Sequence, residues 1–86
     1  MHEMSIAMEV CRIAERQVGR DALGGVAAVG LEVGDEAGVE VGNLAFCLET
    51  LLAEPPFTGA KPVIARCAGD VLRVRYLEVD DGRPDD

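Results

Sequence analysis

The sequence predicts an α+β fold: two helices packed on one face of a three-stranded, largely antiparallel sheet. Three observations point there. Apolar residues recur with a helical period over residues 5–19 and 41–54, and with a period of two over 26–33 and 71–79. Gly and Pro clusters fall between these segments and stop them. The chain has 86 residues, enough for one domain with one thin core layer. Two amphipathic helices laid over one sheet bury all the apolar faces economically.

Each element has a local reason. In the first helix Ile6, Val10, Ile13 and Ala14 form the apolar side, opposite Glu9, Arg12, Glu15 and Arg16. Ser5 is the expected N-cap, because its hydroxyl can accept from a free amide of the first turn. Gly19 and Gly24-Gly25 end the helix and turn the chain. From Val26 to Val33 the residues Val29, Leu31 and Val33 point one way, while Ala28, Gly30 and Glu32 point the other. A loop, Gly34–Gly38, leads to the second helix, whose stripe is Leu44, Leu48, Leu51 and Leu52. Glu40 stands just ahead of it, where unpaired amides and the positive helix end favour a carboxylate. Pro55-Pro56 stops that helix. Residues 61–66 form a short strand and 71–79 a longer one, in which Leu72, Val74 and Tyr76 alternate with Arg73, Arg75 and Leu77. The domain is expected to span 1–79, followed by an acidic mobile tail at 80–86.

Composition narrows function. Sixteen Asp+Glu against eight Lys+Arg give a net charge of −8. A chain that acidic is a poor ligand for a phosphate backbone or an anionic bilayer, so neither nucleic acid nor membrane is an expected partner. The uncharged stretch 22–31 has about half the length of a spanning helix. The acidic start, with Glu3 and Glu9 and no basic leader, does not read as a signal peptide. The three cysteines Cys11, Cys47 and Cys67 are an odd, widely spaced set, which favours a reducing, cytoplasmic setting over a disulfide framework. Cys11 and Cys47 read as small core residues, and Met4 and Met8 as packing residues.

No catalytic site is expected. No glycine-rich phosphate loop follows a strand, and the single histidine, His2, lies on the end of the chain, where a catalytic set cannot be locked. The same position suits a metal. An α-amine titrates near ~7.7–8.0 and a histidine near ~6.5, so both offer lone pairs close to neutral pH. The Met1 amine, the His2 amide and imidazole, and the Glu3 amide can close fused chelate rings as a square of four nitrogens. That geometry suits Ni(II) or Cu(II) and not Zn(II), Mg(II) or Ca(II). Taken alone the motif is weak, since three residues recur by chance in many chains and a lone terminal histidine is usually a solvated side chain.

The opening MHEMSIAMEV, the segment VGLEVGDEAGVEVGNLAF and the closing GDVLRVRYLEVD resemble, in order, the HypA/HybF family of nickel metallochaperones for [NiFe] hydrogenase, and in some organisms urease, maturation. The resemblance implies Ni(II) as cargo, held by Met1, His2 and Glu3. It also places Glu40 where an acidic residue in the family's pattern can approach the metal, although a helix-start carboxylate accounts for Glu40 as well. Implied partners are a hydrogenase large-subunit precursor or a nickel-handling GTPase of the maturation pathway.

One departure is large. The family carries a zinc ribbon with two CxxC pairs between its second and third strands, whereas this chain runs from KPVIARC straight into AGDVLRV. A single thiolate cannot make a tetrahedral site, so no structural zinc is expected, and Cys67 reads as a remnant of a deletion near 66–70. A short turn at 67–70 is expected to join the last two strands. The leading reading is therefore a nickel carrier without its zinc domain. The alternative is a metal-free, degenerate module that docks on a hydrogenase subunit or maturation factor.

Overall fold

A computed structural model describes residues 2–80. The element order is α1 (Glu3–Val18), a short 3₁₀ helix (Arg20–Gly25), β1 (Val26–Gly34), α2 (Val41–Leu52), β2 (Lys61–Cys67) and β3 (Leu72–Val79). The α+β class and the two-helix, three-strand plan hold. The tail at 81–86 and Met1 lie outside the described residues, while Asp80 still donates its amide to the Gly25 carbonyl at 2.6 Å.

The sheet is mixed, not largely antiparallel. Its order is β2-β1-β3, with β1 parallel to β2 and antiparallel to β3. The reason lies in the connection: β1, α2 and β2 form a strand–helix–strand unit, and a helical crossover returns the chain in the same direction. Val29, Leu31 and Val33 are almost wholly buried and share one core with Ala7, Val10 and Ala14 of α1 and with Leu44, Leu48 and Leu52 of α2. Both helices thus cover one face. Ile6 and Leu51 pack at its margin, Ile13 is only half-buried, and Ala7 and Cys47 take central places. Cys11 is half-buried and packs against the core. Met4 and Met8 face outward, 40% and 46% exposed, and do not pack as expected.

Helix α1 starts two residues earlier than expected. His2, in an extended conformation, occupies the N-cap without a side-chain cap bond, and Ser5 falls inside the first turn. The alternation in β3 also breaks. The register steps between Gly30↔Tyr76 and Leu31↔Val74, which leaves Arg75 as an extra residue. Such a bulge reverses the phase of the strand. Leu72 and Val74 therefore share the α1 face with Leu77, and Tyr76 turns to the opposite face, over Gly30, where a Cβ would enter its ring.

The link between β2 and β3 is not a hairpin, because those strands are not neighbours. It passes over the end of β1. Gly34 donates its amide to the Val71 carbonyl (2.6 Å), Asp35 to Cys67 (2.8 Å) and Glu36 to Gly69 (2.9 Å). The Asp35 carboxylate accepts from the Gly69 amide at 2.9 Å. Gly69 turns at φ 93°, a left-handed conformation that glycine adopts without penalty. Gly34 has no room for a side chain, since a Cβ would strike the Gly69 carbonyl oxygen and come within 2.7 Å of the Val71 nitrogen.

Candidate metal centre

The start of α1 lies beside the start of α2, and three polar residues make the junction. The Glu40 carboxylate caps its own helix, accepting from the Asn43 amide at 2.8 Å and the Gly42 amide at 3.0 Å. Its backbone amide donates across to Glu3 Oε2 at 3.1 Å. The Asn43 side-chain amide donates to Glu3 Oε1 at 2.9 Å. In a capping box, a side chain three residues into the helix reaches back to the N-cap amide. Here Glu3 supplies that acceptor from the other helix. Asn43 serves both carboxylates, its backbone amide on Glu40 and its side chain on Glu3.

These contacts settle the electrostatics. Two carboxylates sit together at the positive end of α2, where free amides and the helix dipole favour negative charge. The Glu3 carboxyl is held below its ordinary value, first by the Glu40 amide and then by the Asn43 amide. Glu3 therefore stays charged in mildly acidic solution, one residue from His2.

His2 is exposed at the N-cap, and the first bond of the α1 ladder runs from the Ile6 amide to the His2 carbonyl. The nitrogens of His2 and Glu3 precede that ladder, so they carry no intrahelical bond. An ion can take them as ligands without unwinding the helix. Of the four sequence-predicted residues, Glu3 and Glu40 are brought together by a hydrogen bond, His2 adjoins Glu3 in the chain, and Met1 lies outside the described residues. Both Glu40 oxygens are engaged by amides of α2, which is the helix-start role. Among the described residues no group of three or more His, Cys, Asp or Glu side chains is arranged to hold a metal.

Sequence reasoning missed Asn43. Its signal was present, since Asn43 stands three residues after the Glu40 cap, but nothing local said that its partner would come from residue 3. The cysteines do not gather at this junction. Cys47 is buried, Cys11 is half-buried on α1, and Cys67 ends β2.

Comparison with known proteins gives consistent matches. Residues 1–72 match the family model described as hydrogenase/urease nickel incorporation, metallochaperone, hypA. A hydrogenase maturation factor HypA from Chlorobaculum parvum is 39% identical over 67 residues, covering 78% of this chain and 59% of that protein. Its counterpart from Geobacter metallireducens is 41% identical over 69 residues, 80% of this chain and 60% of that one. One from Alkalilimnicola ehrlichii is 33% identical over 91 residues, 99% of this chain and 80% of the relative. The chain spans about three-fifths of the length of the first two relatives.

Proposed function

The chain belongs to the HypA family of hydrogenase/urease nickel-incorporation metallochaperones, and on that premise we propose that it carries Ni(II) at its N-terminus for [NiFe] hydrogenase maturation. The Met1 amine, the His2 amide and imidazole, and the Glu3 amide supply a square of nitrogens suited to Ni(II). Nickel here is cargo, and no chemistry is performed on it beyond exchange of ligands. The single observation that carries this reading is that α1 begins at Glu3, which leaves the amides of residues 2 and 3 outside the helical ladder. The carboxylates of Glu3 and Glu40 raise the local concentration of dications. Their bonds to α2 hold the first turn in place while an acceptor approaches the exposed side.

Release follows from the same chemistry. Ligating nitrogens must be deprotonated, so protonation of the amine, imidazole and amides competes with the metal. The acceptor in this reading is a hydrogenase large-subunit precursor or a nickel-handling GTPase, in the cytoplasm. No helix among the described residues is long and apolar enough to cross a membrane. The proposal includes loss of the zinc ribbon, with the 68–71 crossing closing the place where it would be inserted. Elemental analysis of the purified protein is expected to find far less than one zinc per chain, and stoichiometric zinc overturns that part.

Calorimetric titration of untagged protein with Ni(II) tests the main claim. About one nickel per chain should bind, with the yellow, diamagnetic absorption of planar coordination, and His2→Ala should abolish both. If the wild type and His2→Ala bind nickel equally poorly, the metal-free docking module is the correct reading. An N-terminal tag must be avoided, because it converts the donor amine into an amide.

A further inference from the structure

Strand β3 is an edge of the sheet, and open clefts lie between it and α1. One apolar cleft of about 160 Å³ lies between Ile6, Val10 and Ile13 of α1 and Leu72 and Val74 of β3. A second, of about 390 Å³ and of mixed polarity, opens between Ile13, Gln17 and Val18 of α1 and Arg75, Leu77 and Val79 of β3. An edge strand with outward amides and carbonyls beside an open apolar cleft is a template for another strand.

The pattern of β3 specifies which strand. It reads LRVRYLEV, and because Arg75 is the extra residue of the bulge, Leu72, Val74, Leu77 and Val79 face α1 while Arg73, Tyr76 and Glu78 face away. Read backwards, the strand has the same chemistry: apolar residues recur at matching places, and Arg73 exchanges with Glu78. A twofold axis perpendicular to a sheet keeps each side chain on its own face, so paired residues must point the same way. In a regular strand that rule forbids pairing an even position with an odd one. The bulge lifts the prohibition. Two copies of β3, antiparallel about an axis between residues 75 and 76, set Leu72 opposite Val79 and Val74 opposite Leu77 above the clefts. On the other face they set Arg73 opposite Glu78.

We propose that β3 is a self-complementary edge through which two copies of this chain join into one six-stranded sheet, with all the α-helices on the same side. The contact is isologous, as in a closed twofold dimer. Arg73 grips Glu32 through Nε at 2.7 Å and Nη2 at 2.6 Å, yet its side chain is 67% exposed and keeps donors for the second copy's Glu78. Neither Glu78 nor Arg75 takes part in an ion pair among the described residues. Arg75 meets the ring of Tyr76 in this register, where a guanidinium can stack on the aromatic face. The net charge of −8 on each copy opposes association, so moderate salt should strengthen it by screening that repulsion. The inference is independent of nickel and of the carrier reading.

Sedimentation equilibrium of the wild type, Arg73→Glu and Glu78→Lys, alone and mixed, is the test. The wild type should dimerise. Each single variant should raise the dissociation constant by about tenfold or more, since its homodimer holds two like-charge pairs. An equal mixture of the two variants should recover wild-type affinity, because every substituted position then faces the opposite charge. A wild type that stays monomeric to millimolar concentration overturns the proposal. So does a dimer that neither variant weakens, or a mixture that fails to recover. Circular dichroism checks that each variant folds. A measurement on the wild type alone needs no variant: amide exchange in β3 should slow as protein concentration rises, and concentration-independent exchange overturns the pairing.

Discussion

Two acidic side chains in this molecule tie together segments more than thirty residues apart, and they do so in different company. Asp35 accepts the Gly69 amide where the 68–71 link crosses β1, surrounded by three backbone hydrogen bonds and two glycines. Glu3 accepts the Glu40 amide and the Asn43 side chain at the meeting of two helix starts, with no backbone–backbone bond between the helices. At the crossing, excluded volume leaves one arrangement and the carboxylate completes it. At the helix starts the carboxylates are the arrangement, and they stay open to solvent and protons. A fixed corner and an adjustable one are thus built from the same interaction.

The most direct way to break this contrast is at Gly34. Gly34→Ala places a methyl group against backbone that cannot step aside, and should cost about 3 kcal/mol in urea unfolding. A cost under about 1 kcal/mol would show the crossing to be pliable. Glu40→Ala removes an N-cap that holds two amides and should cost about 1 kcal/mol. Asp35→Ala should cost somewhat less, roughly 0.5–1 kcal/mol, because the backbone bonds of the crossing survive. If Asp35→Ala proves the more damaging of the two, the ranking of the corners is reversed.

The smallest effect, and the most specific, concerns protons. Because the folded Glu3 carboxyl is held below its ordinary value, its contribution is present above about pH 4.3, the unfolded value, and fades as pH falls through the folded one. The Glu40 amide is its reporter. In an NMR titration that resonance should move with a midpoint below about 4.3, and in Glu3→Gln it should not move with that midpoint. Cys11 offers a parallel check, since burial pushes its thiol up. It should react slowly with a thiol reagent at neutral pH, at a rate that grows as pH rises.

Much of the fold was legible because it depends on period and punctuation. The pattern places strands at 26–33 and 61–66, within one residue of their observed ends, and the start of α2 at 41. Strand order was not legible, because a short polar turn after β2 serves a hairpin and a crossing equally well. The bulge at Arg75 was hidden, since LRVRY alternates perfectly until Gly30 and Leu31 impose their own phase. At the candidate site, residues 1–3 and 40 stood out by chemistry. That Glu3 would complete the cap of Glu40 was not readable from either segment alone, because it exists only after the helices pack.

The β2-β1-β3 order has a consequence for ancestry. With the central strand between them, the two strand ends at residues 67 and 72 stand about 10 Å apart, two inter-strand spacings, astride β1. Any module grafted there would rise on paired stalks from the ends of the two outer strands, astride the end of β1. A lineage can therefore shed such a module by splicing four residues across the gap, without repacking a single buried side chain.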